Sequence, residues 1–263
     1  MNGRAPSAGG GFRGLRARIP RVAAALRSLG RRLARVLLVL FLLQLAAVVL
    51  YRFVDPPLTP LMLWRLVQGH GLDHRPVALD NVPVHVRAAL IASEDSRFCT
   101  HYGFDWVELR QQLVRLFHGE PARGASTLTM QTARNILLWP GRDPLRKLLE
   151  AFVALELELL WPKRRIFEVH LSVAEYGPGV YGIEAGARRW FGRPVSRLSH
   201  REAALLVSVL PAPLTRRPDR PDRALVRRAR VVEARARALP AELLACVLDQ
   251  SSSTTRSAAS RPR

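Results

Sequence analysis

From about Leu61 to Pro211 apolar residues recur at three- and four-residue spacing, and no run alternates at period two. That pattern predicts a chain built from helices separated by short Gly- or Pro-marked breaks. Helices are expected over the segment that begins at Val84, over Asp105–His118, and after the hydroxyl pair Ser126-Thr127, either of which suits an N-cap. Asp143-Pro144 is a start signal for a helix whose Leu145, Leu148, Leu149, Phe152 and Leu155 line one face. Pro162 restarts a helix, glycines 177, 179 and 182 form a loop, and Ile183–Phe191 is helical again. Ser199 and Glu202 fit a capping box that opens AALLVSVL, and one more helix is expected over Ala224–Ala238. Two readings stay open for Asp105–His118: a core-facing amphipathic helix, or one that dips into a bilayer.

Ahead of these helices lies an apolar run from Val36 to Tyr51, broken only by Gln44. With Leu33, Ala34, Phe53 and Val54 it reaches the ~20 residues that span a bilayer, and Arg35 and Arg52 can snorkel to the two interfaces. No convincing small-x-small cleavage site precedes Asp55, so the run reads as an uncleaved signal anchor. The arginines from Arg13 to Arg35 place the N-terminus in the cytoplasm and the rest of the chain outside it. The expected organisation is a basic arm (1–32), a transmembrane anchor (33–54), a juxtamembrane spacer (55–74) and a helical domain (75–215). A C-terminal helical extension (216–245) and a disordered basic tail (246–263) follow.

Composition narrows the choice of partners. The 263 residues carry a formal net charge of +20, and the only lysines are Lys147 and Lys163. Such a surplus suits an anionic membrane surface, a phosphorylated substrate or nucleic acid. Nucleic acid is not expected, because no aromatic RNA-binding pattern, paired zinc-ligand spacing or phosphate-binding glycine loop occurs. Cys99 and Cys246 make no framework, and Cys99 is expected to be a small packing residue.

The candidate chemistry concentrates in Ile91–Gly103, IASEDSRFCTHYG. Glu94-Asp95 sits at a helix C-terminus, where negative charge gains nothing from the helix dipole and therefore calls for another reason. Further on, RKLLE places Arg146 and Lys147 on one helix face with Glu150. EDSRFCTHYGFD, GASTLTMQTARN, RKLLE and KRRIFEVHLSVAEYGPGVYGIEA, in this order and spacing, resemble the four motifs of glycosyltransferase family 51, the peptidoglycan glycosyltransferases. The resemblance covers about residues 75–215 and is strongest to the monofunctional, membrane-anchored biosynthetic form.

The resemblance implies an all-α, lysozyme-like, two-lobed domain behind one transmembrane helix, set in the bacterial inner membrane with the catalytic part in the periplasm. It implies polymerisation of lipid II onto a nascent glycan strand, with inversion at the MurNAc C1 and release of undecaprenyl pyrophosphate. Glu94 takes the role of base and Glu150 that of second essential carboxylate, which either orients the cationic residues or assists the leaving phosphate. Ser126, Gln131, Arg134, Arg142, Arg146 and Lys147 would bind the substrate. No cofactor is required, although a divalent cation, Mg²⁺ or Mn²⁺, is a candidate ligand of Asp95. His101 is either a participant or a packing residue, and Glu168 and Glu175 are expected on a partly exposed helix face. No Ser-x-x-Lys occurs, so cross-linking would fall to penicillin-binding transpeptidases and other division partners. The sequence departs from the family pattern at Met130, Arg134, His170 and Ser172. These departures keep a weakened or non-catalytic lipid II-binding paralogue in view, and the scaffold itself would also fit a peptidoglycan-cleaving enzyme.

Overall fold

The structure is a computed structural model that describes residues 11–120, 126–141 and 143–248. Arg142, the first ten residues and the tail from residue 249 lie outside the described residues. The first helix, α1 (Gly11–Tyr51), contains a 25-residue stretch, Arg27–Tyr51, long and apolar enough to cross a membrane. Its start lies inside the basic arm expected over residues 1–32. The chain divides into two units, residues up to Val49 and residues from Leu50 onward.

The second unit is all-α, with helices α2 (Pro60–Val67), α3 (Val84–Glu94), α4 (Trp106–Phe117), α5 (Leu128–Leu137) and α6 (Pro144–Leu160). There follow α7 (Lys163–Val173), α8 (Ile183–Phe191), α9 (His200–Val207) and α10 (Arg223–Ala238). The expected caps are present. Thr127 rather than Ser126 caps α5, accepting from the Met130 N–H at 3.2 Å. Asp143 caps α6 with Pro144 in its first turn, and Ser199 and Glu202 form the reciprocal capping box of α9. Asp222 caps α10 through the Leu225 N–H at 2.6 Å.

At the centre is α3, where Val86 through Ala92 are all buried. It packs against α9 and α10, while α5 packs against α6 and α7. Three strands of two or three residues, β1 (Asp73–His74), β2 (Glu175–Gly177) and β3 (Val180–Tyr181), form a small sheet in the order β1-β3-β2. The sequence reading contained no strand, since runs this short cannot display alternation. Gly179 makes the sheet possible: its φ is +70°, and a Cβ there would lie 2.2 Å from the His70 carbonyl oxygen.

Several boundaries and orientations differ from expectation. The spacer belongs to the domain, because α2 packs on α5 with Met62 fully buried, and β1 pairs with β3. The extension does too, since Leu225, Ala229 and Val232 of α10 are buried. Glu175 is on β2 rather than a helix, buried and 3.3 Å from Arg65 Nε; burial raises its carboxyl above the usual range and Arg65 partly offsets this. Glu168 is on α7, half-buried, and accepts from the Leu79 N–H at 3.0 Å.

Most telling are the apolar stripes. Trp106 and Phe117 of α4 are 68% and 88% exposed, so the core-facing reading of that helix fails. Helix α6 turns Leu145, Leu148, Phe152, Leu155 and Leu159 outward and buries Arg146, Glu150, Val153, Ala154 and Leu157 instead.

Cys99 is not a lone packing residue. It is disulfide-bonded to Cys246, 147 positions away, with a Cα–Cα distance of 5.4 Å. The bond joins the short 3-10 helix Phe98–Thr100 to the terminal 3-10 helix Ala241–Val247, so the region assigned to a disordered tail begins inside the fold. Nearby, Arg87 donates to the Val247 carbonyl at 2.6 Å. Closing so long a loop restricts the unfolded chain, an effect worth about 2–5 kcal/mol for native disulfides. Cys246→Ser should therefore lower the melting temperature by at least about 4 °C, and a reductant should reproduce the drop in the wild type. An unchanged melt in both would contradict the assigned stabilisation.

Candidate active site

The four chemistry-bearing segments converge because Asp95 pins two of them together. Its carboxylate receives the Leu128 N–H at the start of α5, at 2.9 Å from Oδ2, and His101 Nε2 at 3.1 and 3.0 Å from the two oxygens. Residues Asp95 and His101 are both about 8% exposed. His101 thus resolves as a residue that holds Asp95, with its ring edge-on to Phe98. Lys163 Nζ lies 4.4 Å from the centre of the Phe98 ring and 2.7 Å from Glu158, which also accepts from Thr129 at 2.5 Å. These contacts link α6 and α7 to the same centre.

Glu94, next to Asp95, lines a cavity of about 960 Å³ that Asp95 also borders. Among the described residues its wall includes Ser93, Glu94, Ser126, Gln131, Arg134 and Arg228. Glu94 Oε1 accepts from Ser93 Oγ at 2.8 Å and lies 3.4 Å from Arg228 Nη2. Its Oε2 lies 3.4 Å from Gln131 Nε2. Arg134 is half-buried on the same wall. Desolvation pulls its guanidinium below the usual value; Glu150 and Glu94 oppose that shift and Arg146 adds to it. A partly dry site with crowded cations favours an incoming anion.

Glu150 departs from the expected arrangement. It is fully buried and absent from the described cavity wall, with Oε2 2.8 Å from Arg146 Nη1 and Oε1 2.8 Å from Lys147 Nζ. Lys147 Nζ reaches on to Ser126 Oγ at 2.6 Å, and Ser126 does line the cavity. In this arrangement Glu150 holds two cations, Arg146 and Lys147, and does not itself line the described cavity wall. Removing it would leave buried positive charge uncompensated.

The proposed cation site does not fit these residues. Asp95 spends both oxygens on His101 and a backbone N–H, and no group of three or more His, Cys, Asp or Glu among the described residues is arranged to hold a metal ion.

The family departures His170 and Ser172 lie away from the described cavity wall. Ser172 is fully buried and its Oγ accepts from the Val77 N–H at 3.2 Å, so it fastens the chain beside β1. Thr132 donates to the Leu128 carbonyl at 2.8 Å and lies 3.2 Å from His170 Nδ1, which therefore carries the proton. Sequence reasoning missed Arg228 because it treated α10 as an appendage. The 3.6-residue spacing of Leu225, Ala229 and Val232 was the available signal that α10 packs inward.

An all-helical domain that places a carboxylate and fixed cations in one cavity can pair a proton acceptor with groups that stabilise developing negative charge, the layout of a group-transfer enzyme. Comparison with known proteins narrows this class. A family profile described as Transglycosylase matches residues 63–236, and the chain belongs to that family. It is similar to proteins called biosynthetic peptidoglycan transglycosylase. That of Rhodospirillum centenum is 50% identical over 221 residues, spanning 83% of this chain and 96% of the relative. The Caulobacter vibrioides protein is 42% identical over 78% of this chain and 92% of its own length. The Agrobacterium fabrum protein is 42% identical over 85% and 99%.

Burial and the nearby Arg134 charge push His170 down to about 3 from an ordinary 6.5. Its folded value is depressed, so the unfolded state binds the proton first as pH falls. The stability it contributes is complete above about pH 6.5 and is lost between there and pH 3. Chemical denaturation of the full chain in detergent should show this group removing roughly 2 kcal/mol between pH 6.5 and 5. His170→Phe should flatten that loss; an identical pH slope in the variant would contradict it.

Proposed function

We propose that the chain polymerises lipid II, with Glu94 accepting the proton of the attacking hydroxyl. The 4-hydroxyl of one substrate's GlcNAc attacks C1 of the lipid-linked MurNAc ending the strand. The new C1–O bond forms as the bond to phosphate breaks; its electron pair leaves on undecaprenyl pyrophosphate, and the anomeric centre inverts. Inversion calls for a base on the face opposite the leaving group. The observation that carries this reading is Glu94 on the wall of the same cavity as Arg134, with Lys147 reaching it through Ser126. Arg134 and Lys147 would offset the charge developing on the pyrophosphate, and Glu150 would hold Lys147 in place. Gln131 and Ser126 would supply neutral hydrogen bonds to the substrate. His170 and Ser172, being buried, take nothing from this cavity, which favours turnover over mere binding.

The setting is the bacterial inner membrane, with the N-terminus cytoplasmic and the second unit periplasmic. Three observations support it: the arginines ahead of the apolar stretch, the disulfide, which suits an oxidising compartment, and the outward apolar residues of α4 and α6. Those residues fit a domain that works against the lipid surface from which a polyprenyl-linked substrate must be drawn. Cross-linking of the product would fall to separate penicillin-binding transpeptidases and division proteins.

The direct test uses the full chain in detergent with lipid II. Wild-type protein should give glycan strands, and Glu94→Gln should lower the rate by at least about 100-fold. Retained polymerisation in that variant would reject Glu94 as the base. Lipid II binding without turnover by the wild type would reject the polymerase reading.

A further inference from the structure

We infer that Arg228, on α10, is a positioning residue for the base, a role that rests on Glu94 being that base. Arg228 Nη2 reaches Ser93 Oγ at 3.3 Å and Glu94 Oε1 at 3.4 Å, while Ser93 Oγ donates to the same Oε1 at 2.8 Å. One carboxylate oxygen is thus held by two neighbours. The other, Oε2, has the longer 3.4 Å contact from Gln131 and is the oxygen left to meet an incoming hydroxyl. A carboxylate on the last residue of a helix has little of its own to fix its direction. The hydroxyl of Ser93 sets one end, and Arg228 closes the angle from the neighbouring helix α10.

The contact is graded for this task. A short bidentate pair between guanidinium and carboxylate would compete with the arriving proton. A single contact at 3.4 Å orients the ionised group without locking it. Arg228 Nε is buried with no hydrogen-bond partner among the described residues, so the Nε–H offers no contact that competes with those to Ser93 and Glu94. The helix that carries it is fixed independently. Asp222 caps it, Leu225, Ala229 and Val232 are buried, and the Cys99–Cys246 bond ties down the chain that follows. Small errors in aiming a reactive group cost up to about 100-fold in rate, so a residue that only aims the base can matter greatly.

The test is lipid II turnover by the full chain in detergent, comparing Arg228→Ala, Arg228→Lys, Arg230→Ala and Glu94→Gln, with a thermal melt of each. Arg230 is exposed on the same helix and serves as the charge control. Arg228→Ala should lower kcat about 10–100-fold with KM changed by less than about threefold. Arg228→Lys should retain an intermediate rate, and added ethylguanidinium should restore part of the loss in Arg228→Ala. Arg230→Ala should match the wild type, and Arg228→Ala should add no further loss in the Glu94→Gln background. A near-wild-type kcat in Arg228→Ala beside an inactive Glu94→Gln would overturn the positioning role and leave the base intact. A raised KM with unchanged kcat would also overturn it, as would a lowered melting temperature with no rescue by lysine or guanidinium. An active Glu94→Gln would instead remove the reading on which the role rests.

Discussion

The site depends on one buried carboxylate, Asp95, that joins the end of α3 to the start of α5. Asp95 terminates α3 and accepts the first N–H of α5, with His101 closing the other side. An orphan donor at a helix start and a buried acid satisfy each other there. Both acids border the cavity, but Asp95 is tied to His101 and the α5 backbone while Glu94 is not, and α5 brings Gln131 and Arg134 to the same wall. The adjacent acids of the Glu-Asp pair thus differ in their partners: Asp95 is fastened to two elements of the fold, and Glu94 keeps an oxygen with only a 3.4 Å contact from Gln131.

Behind this wall the charges are layered. Glu150 is wholly buried with a cation on each oxygen, and one of those cations, Lys147, extends to Ser126 at the cavity edge. A pair buried this deeply gains little net stability, since desolvation offsets most of its attraction. Its value lies in holding positive charge beside a place where negative charge must develop. Arg134, crowded by Arg146 and partly dry, extends the same imbalance.

Much of this was legible in the chain. Caps announced themselves locally, as Ser199 with Glu202 and Asp143 with Pro144 did, because a cap is a contact between residues three apart. The grouping of Glu94, Ser126, Gln131 and Arg134 also followed from motif order. What escaped were facts set by tertiary packing. Cys99 and Cys246 are 147 positions apart, and no local pattern pairs them. Periodicity marked the leucine stripe of α6 but could not show that the stripe faces out while Arg146 and Glu150 face in. Nor could spacing show that Glu150 lies buried behind the cavity wall while Glu94 lies on it. Arg228 was invisible for a related reason, since its importance comes from a helix more than 130 residues beyond the acid it touches.

The division of labour between Asp95 and Glu94 is tested most directly by thermal melts of Asp95→Asn and Glu94→Gln, recorded side by side on the full chain in detergent. Asp95→Asn disrupts buried charge-assisted hydrogen bonds worth about 1–3 kcal/mol and should lower the melting temperature by about 3–10 °C. Glu94→Gln keeps an oxygen for the Ser93 hydroxyl, gives up only the charge facing Arg228 at 3.4 Å, and should melt within about 2 °C of the wild type. The reverse order, a stable Asp95→Asn and a destabilised Glu94→Gln, would contradict the account.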